Sequence, residues 1–66
     1  MKSEEARIGQ RVRVSDTYRK PNLRGAVGTI VQRYGHPDYL ALDVRLENGR
    51  SELFWHHELD AEGSIL

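Results

Sequence analysis

Residues 40–46 read LALDVRL, and apolar and polar side chains alternate through them. One face of the extended chain takes the apolar side chains, which are Leu40, Leu42, Val44 and Leu46. A period of two is typical of a β-strand with one buried face and one solvent-facing face. The stretch therefore predicts a strand whose leucines and valine fill the core.

Two further strands are predicted before this stretch. Residues 10–16 alternate, with both valines facing one way, and residues 26–34 are rich in β-branched side chains. Between them residues 17–25 form a long loop, because a proline cannot sit inside a paired central strand. The turn residues Gly-His-Pro-Asp at 35–38 end the second strand.

A hairpin and a closing turn are predicted after it. Residues 47–50 read ENGR, and Asn-Gly favours a two-residue type I′ turn in which both central residues take positive φ. A fourth strand follows at residues 51–55. The sequence HHEL at residues 56–59 is expected to form one helical turn that returns Leu59 to the core.

The fourth strand carries two neighbouring aromatic residues, Phe54 and Trp55, which must point to opposite faces. Leu53 shares a face with Trp55, so that face carries two large apolar residues and the opposite face only Phe54. We therefore expect Leu53 and Trp55 to be buried. A bulge that shifts the strand by one residue would reverse this assignment. On the favoured assignment Phe54 is exposed and is a candidate contact residue, because charged residues rim it.

These elements describe an all-β protein, a single small SH3-like barrel. It has four to five antiparallel strands, a long first loop and a short closing helical turn. Closure is expected because an open sheet of this size exposes edges that invite aggregation. The barrel is assigned to residues 8–60, with a flexible N-terminal segment at 1–7 and a flexible C-terminal tail at 61–66.

A family resemblance is carried by residues 8–31. Gly9 and the two valines of the first strand lead into GAVGTIV at residues 25–31, which resembles the start of a KOW-type SH3-like barrel. YRKPNLRGAVGTIVQRYG is similar to the C-terminal barrel of the nitrile hydratase β-subunit. The layout GQRVRV, VGTIV, LDVRL and HHEL also resembles the photosystem I peripheral subunit and the variable subunit of ferredoxin-thioredoxin reductase.

The resemblance implies the fold and leaves the partner open. The photosystem and reductase barrels dock on proteins, whereas KOW-bearing proteins commonly contact RNA or polymerase. In nitrile hydratase the metal centre lies on the other subunit, so the resemblance implies no nitrile chemistry for this chain. Fold alone does not specify function.

The net charge of zero hides a strong asymmetry along the chain. Residues 1–34 carry eight Lys or Arg against three Asp or Glu, a balance of +5, and residues 35–66 carry two against seven, a balance of −5. Such asymmetry indicates a charged partner. It is equally expected of basic and acidic strands that pair and neutralise each other.

Two functions fit these features. In the favoured one, the protein is a non-catalytic module that docks on a larger protein assembly through Tyr18, Arg19, Lys20, Asn22, Arg24 and Phe54. In the alternative, it is a KOW-like RNA- or DNA-binding protein of transcription or translation that uses Arg11, Arg13, Arg19, Lys20, Arg24, Arg33 and Tyr34. There the basic groups bind phosphates and Tyr34 or Tyr18 stacks on a base. Nucleic-acid binding requires the acidic residues to lie away from the basic face.

Other classes of function are not indicated. The chain has no cysteine, and its three histidines lack the spacing of a metal site, so we expect no disulfide, metal or cofactor. Gly25 and Gly28 lack the phosphate-binding fingerprint and are predicted to serve a turn and a close approach. We therefore expect no enzyme, although a subunit that is active only in a complex stays open. No membrane span or signal peptide is evident, which predicts a cytoplasmic protein, monomeric by default.

Overall fold

The computed structural model describes residues 1–36 and 40–62, and these form one antiparallel sheet with short 3-10 turns. Its strands are β1 (Arg11–Val14), β2 (Val27–Tyr34), β3 (Ala41–Leu46), β4 (Ser51–Trp55) and β5 (Leu59–Ala61). The 3-10 turns lie at Ser3–Glu5, Pro21–Leu23 and His56–Glu58. The order across the sheet is β4-β3-β2-β1-β5. The all-β prediction is confirmed, and the arrangement is compatible with an SH3-like fold.

The sheet is not closed into the predicted barrel. Strands β4 and β5 are the two edges of the sheet, and within the described residues they do not pair with each other. The 3-10 turn His56–Glu58 joins them directly, and β5 is only three residues long and is paired with β1. A very short edge strand limits aggregation without closure.

The N-terminal segment packs on the connection between these edges. The amino group of Met1 donates a hydrogen bond to the Leu59 carbonyl at 2.6 Å, and the Met1 carbonyl lies 2.8 Å from Nδ1 of His56. Ala6 is fully buried. Met1 and Ala6 thus contact the folded part of the chain, and the flexibility of residues 1–7 stays a prediction. In the predicted C-terminal tail, Ala61 belongs to β5, and residues 63–66 lie outside the described residues.

The core is the inner face of the sheet, and the predicted strand faces account for most of it. Its buried residues are Ala6, Val12, Val14, Tyr18, Ile30, Leu40, Leu42, Val44, Leu46, Phe54 and Leu59. The alternation in β1 and β3 is therefore confirmed, as is the return of Leu59. The 3-10 turn Pro21–Leu23 in the first loop also packs Leu23 against this core.

Strand β2 lies between β1 and β3, and it approaches β3 closely at Gly28. This residue is opposite Val12 on one side and Leu46 on the other. A Cβ at position 28 would lie 2.5 Å from the carbonyl oxygen of Arg45. Gly25, at the end of the first loop, has φ +78°. The predicted roles of a close-approach glycine and a turn glycine are both confirmed.

The hairpin between β3 and β4 differs from the predicted type I′ turn. The backbone N–H of Gly49 donates to the Leu46 carbonyl at 2.9 Å, and the N–H of Leu46 donates to the Arg50 carbonyl at 2.8 Å. Gly49 has φ +91°, and no described non-glycine residue, Asn48 included, has positive φ. The loop is thus a three-residue connection with glycine at the left-handed position. The predicted turn at 35–38 lies partly outside the described residues.

Candidate protein-docking surface

The orientation of β4 is the reverse of the prediction. Phe54 is 2% exposed, whereas Leu53 is 62% and Trp55 is 46% exposed. The register pairs Phe54 with Leu42, whose side chain is fully buried, so both belong to the inner face. The Phe54 ring also packs on the Tyr18 ring at a centroid distance of 5.2 Å. The prediction of an exposed Phe54 is wrong, and the exposed aromatic residue of this strand is Trp55.

Trp55 belongs to a row of side chains that crosses three strands on the outer face. The register aligns Tyr34 of β2 with Ala41 of β3, and Ala41 with Trp55 of β4. Tyr34 is 51% exposed. Asp43 lies opposite Leu53 in the next row. We call Tyr34, Ala41, Leu53 and Trp55 the outer aromatic face.

A β-bulge places Tyr34 on this face. The pairing of β2 with β3 shifts by one residue between Ile30 and Gln32, which leaves Val31 as the extra residue. Ile30 before the bulge is buried, and the strict alternation would send Tyr34 to the same inner side. Because one inserted residue exchanges the two faces, Tyr34 points outward instead.

The backbone at Trp55 is held by a local hydrogen bond. Its N–H donates to Oε1 of Glu58 at 2.8 Å, and Glu58 ends the 3-10 turn that follows β4. The indole therefore projects from a strand that is fixed by β3 on one side and by the turn at its end. A rigid aromatic side chain loses little conformational entropy when a partner covers it.

The first loop contains both structural and exposed residues. Tyr18 is only 5% exposed and belongs to the core, so its predicted role in a contact surface is not supported by its position. Arg24 is exposed, but its Nε donates a hydrogen bond to the Tyr18 carbonyl and braces the loop. The Arg19 guanidinium lies 6.0 Å from the centroid of the Tyr18 ring. Lys20 and Asn22 are exposed.

The structure does not bring this loop and the outer aromatic face onto one flat surface. The loop delivers Tyr18 to Phe54 on the inner side of β4, while Trp55 points from the outer side of the same strand. A partner that covers only the outer face therefore meets Trp55 and Leu53 without meeting Tyr18. Strand β4 therefore separates the Tyr18 ring from the exposed indole of Trp55.

The basic residues of β1 are interleaved with acidic ones. Arg11 forms an ion pair with Glu47 at 2.7 Å, and Arg13 forms one with Glu62 at 3.1 Å. Asp60 of β5 lies opposite Arg13 in the sheet. The positive charges of β1 thus lie beside acidic side chains of the hairpin after β3, of β5 and of the residue that follows β5. The remaining members of the predicted nucleic-acid set outside the loop, Arg33 and Tyr34, are exposed at the end of β2.

The histidines do not form a metal site with other groups in the described part of the chain. The rings of His56 and His57 are in edge-to-face contact, with their centroids 5.6 Å apart. Nδ1 of His56 lies within hydrogen-bond distance of the Met1 carbonyl oxygen. In residues 1–36 and 40–62, no group of three His, Cys, Asp or Glu side chains could hold a metal ion. No helix in these same ranges has the length and apolar character needed to cross a membrane.

Comparisons of the chain with family models, with curated proteins and with solved structures found no match. The class of the protein is defined by its fold and surface: it is a small all-β domain with an exposed aromatic and aliphatic outer face and a partly braced basic first loop.

Proposed function

We propose that this protein is a non-catalytic binding module that docks on a larger protein assembly. The outer aromatic face makes the central contact, with Trp55 as the anchor in place of Phe54. The exposed basic groups of the first loop, Arg19 and Lys20, form a secondary contact with the same partner. A cytoplasmic location stays part of this proposal.

The exposure of Leu53 and Trp55 on a folded strand is the observation that carries the proposal. The sequence already provides enough apolar side chains to fill the inner face, so these two are not needed for the core. Tryptophan and tyrosine are enriched among the residues that dominate binding energies at protein interfaces. The polar neighbour Asp43 resembles the polar rim that surrounds such contacts.

The distribution of charge favours a protein partner over nucleic acid. Binding to phosphates is supported by uncompensated basic groups on one face. Arg11 and Arg13, two members of the predicted nucleic-acid set, are instead engaged by Glu47 and Glu62. Mixed charges of this kind are compatible with a protein surface and weaken a steering field for a polyanion.

The first experiment compares partners captured from extracts of the source cells. Wild-type protein, Trp55→Ser and Ile8→Ser are immobilised, and the bound proteins are quantified by mass spectrometry. Ile8 is the matched control because it is 60% exposed and lies outside the outer aromatic face. We expect a discrete set of proteins to be lost with Trp55→Ser and kept with Ile8→Ser. Equal capture by all three proteins would refute the proposal.

A second experiment tests the loop separately. The change Arg19→Ala with Lys20→Ala leaves Arg24 in place, because Arg24 braces the loop through the Tyr18 carbonyl. We expect weaker capture of the same partner, more so at low salt, with an unchanged thermal transition. Undiminished capture would remove the loop from the proposed interface without affecting the role of Trp55.

A further inference from the structure

The outer edge of β4 presents backbone groups that are directed away from the sheet. The N–H of Leu46 donates to the Arg50 carbonyl, and the N–H of His56 donates to the Leu40 carbonyl. In an antiparallel pair, hydrogen-bonded and non-hydrogen-bonded residues alternate. Ser51, Leu53 and Trp55 therefore direct their N–H and C=O groups away from β3, and the hydrogen bond from Trp55 N–H to Glu58 agrees with this direction.

We infer that this edge pairs with the same edge of a second copy of the chain. Two β4 strands related by a twofold axis at Leu53 would run antiparallel. Each Leu53 would then exchange hydrogen bonds with Leu53 of the second copy. Ser51 N–H would donate to the carbonyl of Trp55 of the second copy, and the Ser51 carbonyl would take the place of the Glu58 carboxylate as acceptor for that Trp55 N–H.

The side chains favour this register over its neighbours. It matches all the outward-directed residues of β4 with one another and places Leu53 against Leu53. It also puts Glu52 opposite Phe54 of the second copy. Sliding the strands so that Glu52 lies on the axis would instead place two carboxylates directly opposite, which is unfavourable in a sheet.

In the same register, the outer face brings an arginine of one copy within reach of the tryptophan of the other. Trp55 would lie beside Ser51 of the second copy, and Arg45 is the neighbour of Ser51 on β3. Strand spacing puts Trp55 and Arg45 of the second copy about 10 Å apart at the backbone, which the two long side chains span across the small serine. Arg45 is exposed and makes no ion pair among the described residues. Its guanidinium is therefore available for a cation–π contact with the indole.

This pairing would join the two sheets into one and make the two outer aromatic faces continuous. The partner assembly of the proposed function would then meet two anchors on one surface. Two linked contacts bind more tightly than either alone when the partner's geometry allows both to form. The self-association itself does not depend on the proposed function.

Sedimentation velocity over a roughly hundredfold range of concentration tests the inference, because self-association makes the apparent mass concentration-dependent. The wild-type protein is expected to approach twice the monomer mass. Leu53→Lys places two ammonium groups at the twofold axis and should raise the dimer dissociation constant by about tenfold or more. Ile8→Lys adds the same charge at an equally exposed site outside the edge and should dimerise as the wild type does.

A second variant removes the donor instead of adding charge. Ser51→Pro deletes an N–H that points away from β3, and proline is tolerated at the first residue of an edge strand. It should stay monomeric and keep its thermal transition. A wild-type protein that is monomeric throughout, or equal dimerisation of Leu53→Lys, Ser51→Pro and Ile8→Lys, would overturn the inference. A monomer that still captures its partner through Trp55 would overturn it while leaving the proposed function intact.

Discussion

Gly28 has no room for even a single added methyl group. Its Cβ would lie 2.5 Å from the Arg45 carbonyl oxygen and 2.8 Å from Cγ1 of Val44. Ordinary C···O contacts are about 3.3 Å or longer, so β2 and β3 would have to separate by roughly 0.8 Å. The obstacle is backbone in a paired strand, which cannot rotate away as a flexible side chain would.

The cost follows from this overlap. Overpacking typically costs about 1–3 kcal/mol, and the rigid neighbour puts Gly28→Ala near the upper end of that range. A domain of 66 residues has a free energy of unfolding of roughly 3–10 kcal/mol, so this substitution removes a large share of it. The midpoint of thermal unfolding should fall by about 10–20 °C.

Comparing Gly25→Asn with Gly28→Asn distinguishes two causes of destabilisation at a glycine, which are lack of space for a side chain and an unfavourable backbone conformation. At Gly25 a Cβ meets nothing within 4 Å, and its φ of +78° is one that asparagine adopts more readily than most residues. Gly25→Asn should therefore be mild, and Gly28→Asn should be at least as damaging as Gly28→Ala. Urea unfolding monitored by circular dichroism gives the free energies. A smaller loss at Gly28 than at Gly25 would refute the close-approach argument.

Three further predictions concern the core and the surface. Val44→Asp should abolish the cooperative thermal transition, because it puts an unpaired charge into a fully buried site, and a variant that still melts cooperatively would contradict the inner face of β3. Urea unfolding should show that Phe54→Ala lowers the free energy of unfolding by about 3–5 kcal/mol and Leu53→Ala by less than about 0.5 kcal/mol. The opposite order would mean that Leu53 is buried and Phe54 exposed, as the sequence predicts. A double-mutant cycle on Arg11 and Glu47 should give a coupling free energy of about 0.2–1 kcal/mol that declines as salt is added, because both side chains are about half exposed. A coupling free energy that does not change with salt would argue against a surface ion pair.

The periodic parts of the fold could be predicted from the sequence. Residues 40–46 alternate so regularly that only one face can be apolar, and that face is buried in the structure. Gly25 before β2 and Gly28 within it were predictable because a loop end and a close strand approach both require the absence of a side chain. Strand β5 was not, because three residues show no usable period and owe their conformation to pairing with β1.

The candidate surface was harder to predict because it depends on tertiary packing. The larger number of apolar residues on the face with Leu53 and Trp55 predicts that this face is buried. In the structure, the inner side of β4 is instead occupied by the rings of Phe54 and Tyr18. The bulge at Val31 turns Tyr34 outward, and no residue in that stretch marks it in advance. The ion pairs of Arg11 and Arg13 join residues that are far apart in the chain, so their charge compensation appears only in the folded sheet.

Photo-crosslinking at position 55 in the source cells tests the docking proposal most directly. A photoreactive phenylalanine analogue replaces Trp55 in one strain and Ile8 in a control strain, and adducts are identified after irradiation. We expect adducts between position 55 and a discrete heterologous protein, and none at position 8. Adducts to RNA or DNA at position 55, or the same protein adducts at both positions, would contradict it.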